Sequence, residues 1–303
     1  MGQKEIEKAN VVLKAEHLSK HYGMKKSLDD VSITINKGEI YGLIGKNGAG
    51  KTTFMKTCLG MVKATSGTIQ FFDSDDINNL RKVGALIENP SIIGGMSARK
   101  NLEIFSKLYG GTKEEIDHIL EVVGLANVGK RKAKKFSLGM RQRLGIAIAM
   151  LGNPKFLILD EPINGLDPAG IKEVRDLILK LNKEEGVTFL VSSHLLDELG
   201  KIATKYGFID NGRLIEEITA EELKEDCEKK MIIGTKSNQQ AYSVLSQFVE
   251  EKDIRLTESE IVIVNHDEDI SKYNKILVDN GIEVNKLYNK SQSLEDYFIK
   301  KVG

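Results

Sequence analysis

The sequence predicts an α/β domain on a mostly parallel sheet, followed by a smaller α+β unit. Three observations carry that prediction. From Phe156 onward short apolar runs alternate with helical stretches, the order that builds parallel sheets. Runs such as Phe156–Leu159 are apolar throughout, as strands covered on both faces are. At Thr219–Lys230, TAEELKEDCEKK, the composition turns dense in charge and reads as a linker helix over 219–230, between domains spanning 11–218 and 231–303.

The first domain opens with alternating, extended stretches at Val11–His17, Val31–Ile35 and Glu39–Ile44. A glycine-rich turn follows, with a helix opening near Lys51. Gly67–Phe72 reads as a strand, and Val83–Glu88 as a short buried strand that ends at the Asn89-Pro90 turn. From Ser97 to Leu151, within a helical subdomain placed at about 89–154, the pattern turns helical, and Thr112 and Glu115 have capping-box spacing and open a helix through Val123. Strand Phe156–Leu159, helix Ala169–Asn182, strand Val187–Val191 and helix Leu195–Ala203 complete the alternation. Asn211-Gly212 between Tyr206–Asp210 and Arg213–Glu217 predicts a hairpin. Beyond the linker the order is strand (Met231–Gly234), helix (Asn238–Val249), strands (Ile254–Thr257 and Ile261–Val264), helix (Ile270–Asn280), strand (Glu283–Tyr288) and a last helix from Ser293. That β-α-β-β-α-β order fits a ferredoxin-like unit.

Bulk properties remove several function classes. The chain has 303 residues, 41% hydrophobic and 29% charged, as an ordinary globular protein does. Lys+Arg and Asp+Glu both number 44, so no global field favours nucleic acid or an anionic membrane. Cys58 and Cys227 match no metal-ligand spacing and are expected as reduced thiols. No stretch approaches the roughly 20 apolar residues that span a bilayer. MGQKEIEKAN lacks a signal-peptide core, carries Ile6 where a myristoylation signal needs Ser or Thr, and reads as a disordered lead-in.

The strongest chemical signal is Gly45-Lys46-Asn47-Gly48-Ala49-Gly50-Lys51-Thr52-Thr53, which fits G-x-x-x-x-G-K-[ST] between a strand and a helix. Glycines let successive backbone N–H groups point inward, forming an anion nest at a positive helix terminus. Lys51 supplies a point charge for β- and γ-phosphates, and the Thr52 hydroxyl can ligate Mg²⁺. Phe156–Leu159 ends in Asp160-Glu161, where ligands of open α/β sheets sit. Asp160 is a candidate for Mg²⁺ and Glu161 for the general base that polarises an attacking water.

These two motifs are those of a P-loop NTPase, and the others resemble one branch of it. Phe136-Ser137-Leu138-Gly139-Met140 resembles the L-S-G-G-Q signature of ABC ATPases, with Ser137 and Gly139 matching and the other three departing. Gly165-Leu166-Asp167-Pro168 resembles the family's D-loop, His194 its switch histidine, and Tyr22 the aromatic that stacks on adenine. The ordered motifs run from about Tyr22 to Gly212. Ile87-Glu88-Asn89-Pro90 occupies the Q-loop with Glu88 in place of glutamine. With the FSLGM variant and Ser293–Phe298, this is similar to bacitracin- and lantibiotic-type exporter ATPases.

The resemblance implies an ABC-type fold with an N-terminal antiparallel β subdomain and a helical subdomain. It implies ATP as substrate and Mg²⁺ held by Thr52, Asp160 and Glu88. It further implies a homodimer in which each ATP is sandwiched between one phosphate loop and the partner's Ser137 and Gly139. A separate membrane-spanning permease would keep the chain on the inner face of the cell membrane, and nucleic acid is not an expected partner. An importer, an exporter of another substrate, and a soluble ABC ATPase acting on ribosome or DNA are the alternatives. A kinase or GTPase would leave Ser137, Asp167 and His194 unexplained.

Overall fold

The computed structural model describes residues 11–227, 230–264, 269–290 and 294–302. The expected lead-in at 1–10, the Cys227 side chain and Ser293 lie outside them. The chain divides into two compact units at Ala220–Glu221.

The first unit opens with β1 (Val11–Tyr22), β2 (Lys25–Asn36), β3 (Ile40–Ile44), α1 (Lys51–Cys58) and β4 (Ser66–Phe71). Strands β2-β1-β4 form an antiparallel sheet. β1 and β2 are longer than the alternation suggests. The register shifts between Ala15 and Leu18, and His17 and Asp30 adopt positive φ of 51° and 63°. Such bulges break the period of two on which sequence reading depends.

Next come β5 (Val83–Leu86), the helices α2 (Ala98–Ser106), α3 (Lys113–Val122) and α4 (Leu138–Ala149), then β6 (Phe156–Leu159) and α5 (Pro168–Glu185). They are followed by β7 (Thr188–Ser193), α6 (Leu196–Leu199), β8 (Lys205–Asp210), β9 (Arg213–Thr219) and α7 (Ala220–Cys227). Thr112 Oγ1 accepts from Glu115 N at 3.2 Å, as a cap should. The Glu115 carboxylate accepts from Gly152 N at 2.9 Å instead of returning to the cap. α6 is shorter than the expected Leu195–Ala203. Gly200 weakens the helix, and Thr204 N donates to Ile40 O at 2.9 Å, pulling the chain into the next strand.

The main sheet has the order β5-β6-β7-β3-β8-β9, parallel except for the β8–β9 hairpin. The hairpin turns on Asn211 and Gly212, both at positive φ (46° and 79°), as a two-residue I′ turn requires. β3, β6 and β7 are buried at every residue. Each fully buried Leu, Ile or Phe contributes roughly 1.5–3 kcal/mol of transfer free energy, so these strands cannot slip toward solvent. Their order puts the C-terminal ends of β6, β7 and β3 side by side, and the turns after them form one rim. Cys58 is buried against the same core, and burial pushes its thiol pKa far up, which leaves it unreactive.

The second unit comprises β10 (Lys230–Thr235), α8 (Asn238–Leu245), β11 (Ile254–Leu256), β12 (Ile261–Ile263), α9 (Ile270–Asp279), β13 (Val284–Lys290) and α10 (Leu294–Val302). Its sheet has the order β11-β12-β10-β13, with every neighbouring pair antiparallel. Met231, Ile233, Ile261 and Ile263 pack against Ala241, Leu245, Tyr273 and Leu277 of α8 and α9.

Candidate active site

The turn after β3 closes on itself because its glycines allow it. Gly48 and Gly50 take φ of 85° and 117°. A Cβ at Gly45 would lie 2.4 Å from Ile209 O, and one at Gly50 would lie 2.7 Å from Ser27 O. The loop is therefore wedged between β2 and β8 with no room for side chains at either point. Gly212 N donates to Ala49 O, and Asp29 N to Gly212 O, both at 2.8 Å. Arg213 binds the Asp29 carboxylate at 2.9 and 2.6 Å, and with Lys26 holds it below the usual carboxylate range. The hairpin tip thus braces the loop.

Lys51 begins α1 and is 5% exposed. Its Nζ donates to Gly45 O at 2.6 Å and Lys46 O at 3.3 Å, and stands 3.2 Å from Glu161 Oε1. A cleft of about 220 Å³ opens over the loop, lined by Asn47, Gly48, Lys51, Thr53 and Glu161, with Lys25 and Ser27 from β2.

The carboxylates after β6 are wired to this loop and to β7. Asp160 is 3% exposed. Its Oδ2 accepts from Thr52 Oγ1 at 2.8 Å and its Oδ1 from Ser192 Oγ at 2.6 Å. Ser192 Oγ in turn accepts from Glu161 N at 2.8 Å. Glu161 sits at φ 49°, a region in which side chains are strained and which clusters at functional sites. Its Oε2 lies 2.8 Å from His194 Nδ1, while its buried Oε1 faces Lys51 without a hydrogen bond.

Sequence reading missed Ser192, whose hydroxyl joins Asp160 to the Glu161 backbone. The signal was present: the apolar runs of β6 and β7 align in parallel with Leu159 opposite Val191, so Asp160 comes level with Ser192.

Glu88 lies on a second, larger cleft of about 630 Å³ that it shares with Thr52, Asp160, Glu161, Arg141 and Gln142. The strand expected to run to Glu88 stops at Leu86, whose carbonyl accepts from Asp160 N at 2.8 Å. Glu88 then turns outward at φ 59°, and its Oε1 pairs with Lys56 Nζ of α1 at 2.6 Å.

Tyr22, Ser137, Gly139 and Asp167 line neither of these two clefts. Tyr22 is half-exposed, with the Lys20 ammonium 4.8 Å from its ring centroid. Ser137 caps α4 by accepting from Met140 N at 3.2 Å, and Asp167 caps α5 by accepting from Gly170 N at 3.3 Å. Pro168 opens α5, where its missing N–H costs nothing.

A family model described as ABC transporter matches residues 28–164. The chain is 42% identical over 300 residues to a bacitracin transport ATP-binding protein of Bacillus licheniformis, covering 97% of this chain and 98% of that protein. The chain belongs to the ABC transporter ATP-binding family.

A lantibiotic transport ATP-binding protein of Streptococcus pyogenes is 46% identical over 205 residues, 67% of this chain and 89% of that one. Among solved structures, the ADP conformation of an ATP-binding cassette of an ABC transporter superposes with a TM-score of 0.65 at 29% identity, covering 71% of this chain and 94% of that one. A cassette from Clostridium perfringens, part of an ABC transporter complex, gives 0.65 at 26% identity, over 72% and 92%. As an ABC cassette this chain binds ATP and is an ATPase. Among the described residues no helix is long and apolar enough to cross a membrane.

Proposed function

We propose that this chain is the motor subunit that drives export of a peptide antibiotic or similar amphiphile through a separate permease. The carrying observation is the single rim on which β3, β6 and β7 place Lys51, Thr52, Asp160, Glu161 and His194. The substrate class rests on end-to-end similarity to a bacitracin transport protein.

In this reading Lys51 exchanges loop carbonyls for the β- and γ-phosphates, and the amides of residues 46–52 hold the rest. Asp160 is a buried carboxylate that accepts only from neutral hydroxyls and forms no ion pair among the described residues. With the adjacent Thr52 hydroxyl it offers the hard oxygens that Mg²⁺ prefers. Bound there, the ion would neutralise charge developing on the transferred phosphoryl group. Glu161 accepts the proton of the attacking water, and His194 orients that carboxylate from the other side. Glu88 shares the metal-side cleft as a third candidate ligand, beside the Asn89-Pro90 turn that leads into the helical region.

Ser137 and Gly139 act on the ATP of a second copy, with Asp167 beside them, and Tyr22 receives the adenine. Two copies thus form a C2 dimer with two composite sites on the cytoplasmic face of the permease. ATP favours the closed dimer and products do not, which is the energetic basis of the stroke. Residues 11–218 carry the cassette, with its helical part at 89–154. Residues 219–230, of which 220–227 form α7, link it to a ferredoxin-like unit at 231–303.

The test is resistance in cells that express the chain together with its permease. The intact chain should raise tolerance of bacitracin or a lantibiotic, and Lys51→Ala should not. Full ATPase activity with no change in tolerance of either peptide would overturn the substrate class.

A further inference from the structure

α4 and α5 begin together. Gly139, in the first turn of α4, lies so close to α5 that an added Cβ would stand 3.6 Å from Gly170 Cα. Further along, Arg143 Nη2 of α4 meets Glu173 Oε2 of α5 at 3.2 Å. Both contacts advance along the two helices in the same direction, so the helices run side by side from their caps, Ser137 and Asp167. Arg143 also reaches a third helix: its Nη1 donates to Val123 O at 2.8 Å and Gly124 O at 3.3 Å, just past the end of α3. Carbonyls at a helix C-terminus favour a cation.

The Arg143 side chain is only 14% exposed, and its Nε is buried without a hydrogen-bond partner. That unpartnered donor is an unfavourable contribution that stability alone does not explain.

We infer that Arg143 is a positioning residue that locks α4, α5 and the end of α3 into one rigid block, so that Ser137 and Asp167 are presented together to the nucleotide of the partner copy. The inference rests on the composite-site reading above. Among the described residues, neither cap side chain has a hydrogen-bond partner outside its own helix start. Their relative placement comes from the helices that carry them, together with the close approach of Leu138 and Gly139 to Gly165 and Leu166 at the helix starts. Of the contacts between α4 and α5, the Gly139–Gly170 approach sets the distance and the Arg143–Glu173 pair sets rotation and slide.

The experiment uses the full chain, with Arg143→Ala, Arg143→Lys and Glu173→Gln beside Ser137→Arg as control. Monomer ATP affinity, ATP-driven dimerisation in a Glu161→Gln background, steady-state turnover and melting temperature are measured for each. Arg143→Ala should cut turnover and dimerisation about tenfold or more, as misplacement of a reacting group does. Monomer ATP affinity should stay within about twofold, since the phosphate loop is untouched. Glu173→Gln, at a half-exposed side chain, should fold normally and shift both readouts a few-fold the same way. Arg143→Lys should fall between.

Mixing Arg143→Ala with Lys51→Ala should restore one working site per heterodimer, because the intact signature of one chain then serves the intact loop of the other. A rescue of this kind is not expected if Arg143→Ala merely loosens the fold. Unchanged turnover in both Arg143→Ala and Glu173→Gln, with Ser137→Arg inactive, would overturn the inference alone. Full turnover in Ser137→Arg would overturn the composite-site reading, and the inference with it.

Discussion

The two ends of the proposed ATP site are built differently. At the phosphate loop three buried or half-buried charged groups already have partners in the single chain: Lys51 with loop carbonyls and Glu161, Asp160 with two hydroxyls, Glu161 with His194. At the start of α4 and α5, Ser137 and Asp167 cap only their own helices. One end is wired before ATP arrives, and the other, on the proposed reading, would meet the ligand of a second chain. On the proposed reading, the difference means that one chain would bind nucleotide alone, whereas turnover would need two.

The sharpest way to break this contrast is at the wired end. Glu161→Gln should lower turnover by about 10²–10⁴, the range for losing a general base, while ATP still binds. The amide keeps the hydrogen-bonding shape toward His194, so an ATP-bound dimer should accumulate and elute early on size-exclusion chromatography. Undiminished hydrolysis would remove Glu161 from the mechanism.

At the waiting end, Ser137→Arg should stop turnover by about 10²-fold or more, as the loss of a phosphate-binding element does. Its monomer should bind ATP as the parent does, measured with a fluorescent nucleotide. If it binds as poorly as Lys51→Ala, the two ends are not separate and the in-trans assignment fails.

A smaller effect is expected between the ends, at Glu88. Glu88→Gln removes the charge that pairs with Lys56 while keeping nearly the same shape. Exposed ion pairs of this kind are worth only about 0–1 kcal/mol, so the fold should not change. ATP turnover should fall by less than the tenfold that about 1.4 kcal/mol represents. Resistance in cells carrying the permease should fall further, together with a changed Mg²⁺ requirement. Equal resistance and an unchanged Mg²⁺ requirement would reduce Glu88 to a neutral surface variation.

The smallest effect should come from the brace behind the phosphate loop. Arg213→Ala removes the main group that holds the Asp29 carboxyl below its ordinary value of 3.8. A depressed folded-state pKa contributes stability above the unfolded value and loses it as pH falls through the folded one. The melting difference between Arg213→Ala and the parent should therefore be small and constant at neutral pH. It should shrink only below about pH 3.8, as Asp29 protonates. A difference that grows on acidification would contradict the pairing.

Much of this was legible in sequence because it depends on local rules. β6 was readable to the residue, since four consecutive apolar side chains bounded by Pro154-Lys155 and Asp160 leave little choice. The phosphate loop was readable because only glycine tolerates its dihedrals and close approaches. The full lengths of β1 and β2 were hidden by bulges at His17 and Asp30, which local periodicity cannot register. Lys56, Ser192 and Arg143 were hidden for another reason. Each meets its functional partner 30 or more residues away in the chain, or across two helices, and no local pattern marks it.

The sequence by itself determined the element alternation, the anion nest and the carboxylates after β6, because spacing and residue type settle those. Only the tertiary structure decided that β6, β7 and β3 are neighbours, and hence that Ser192 joins Asp160 to the Glu161 backbone. It also decided that Glu88 faces Lys56 and that α4 and α5 start side by side. Strand order and helix pairing are set by which apolar faces bury one another, a property of the whole core that no single stretch of sequence contains.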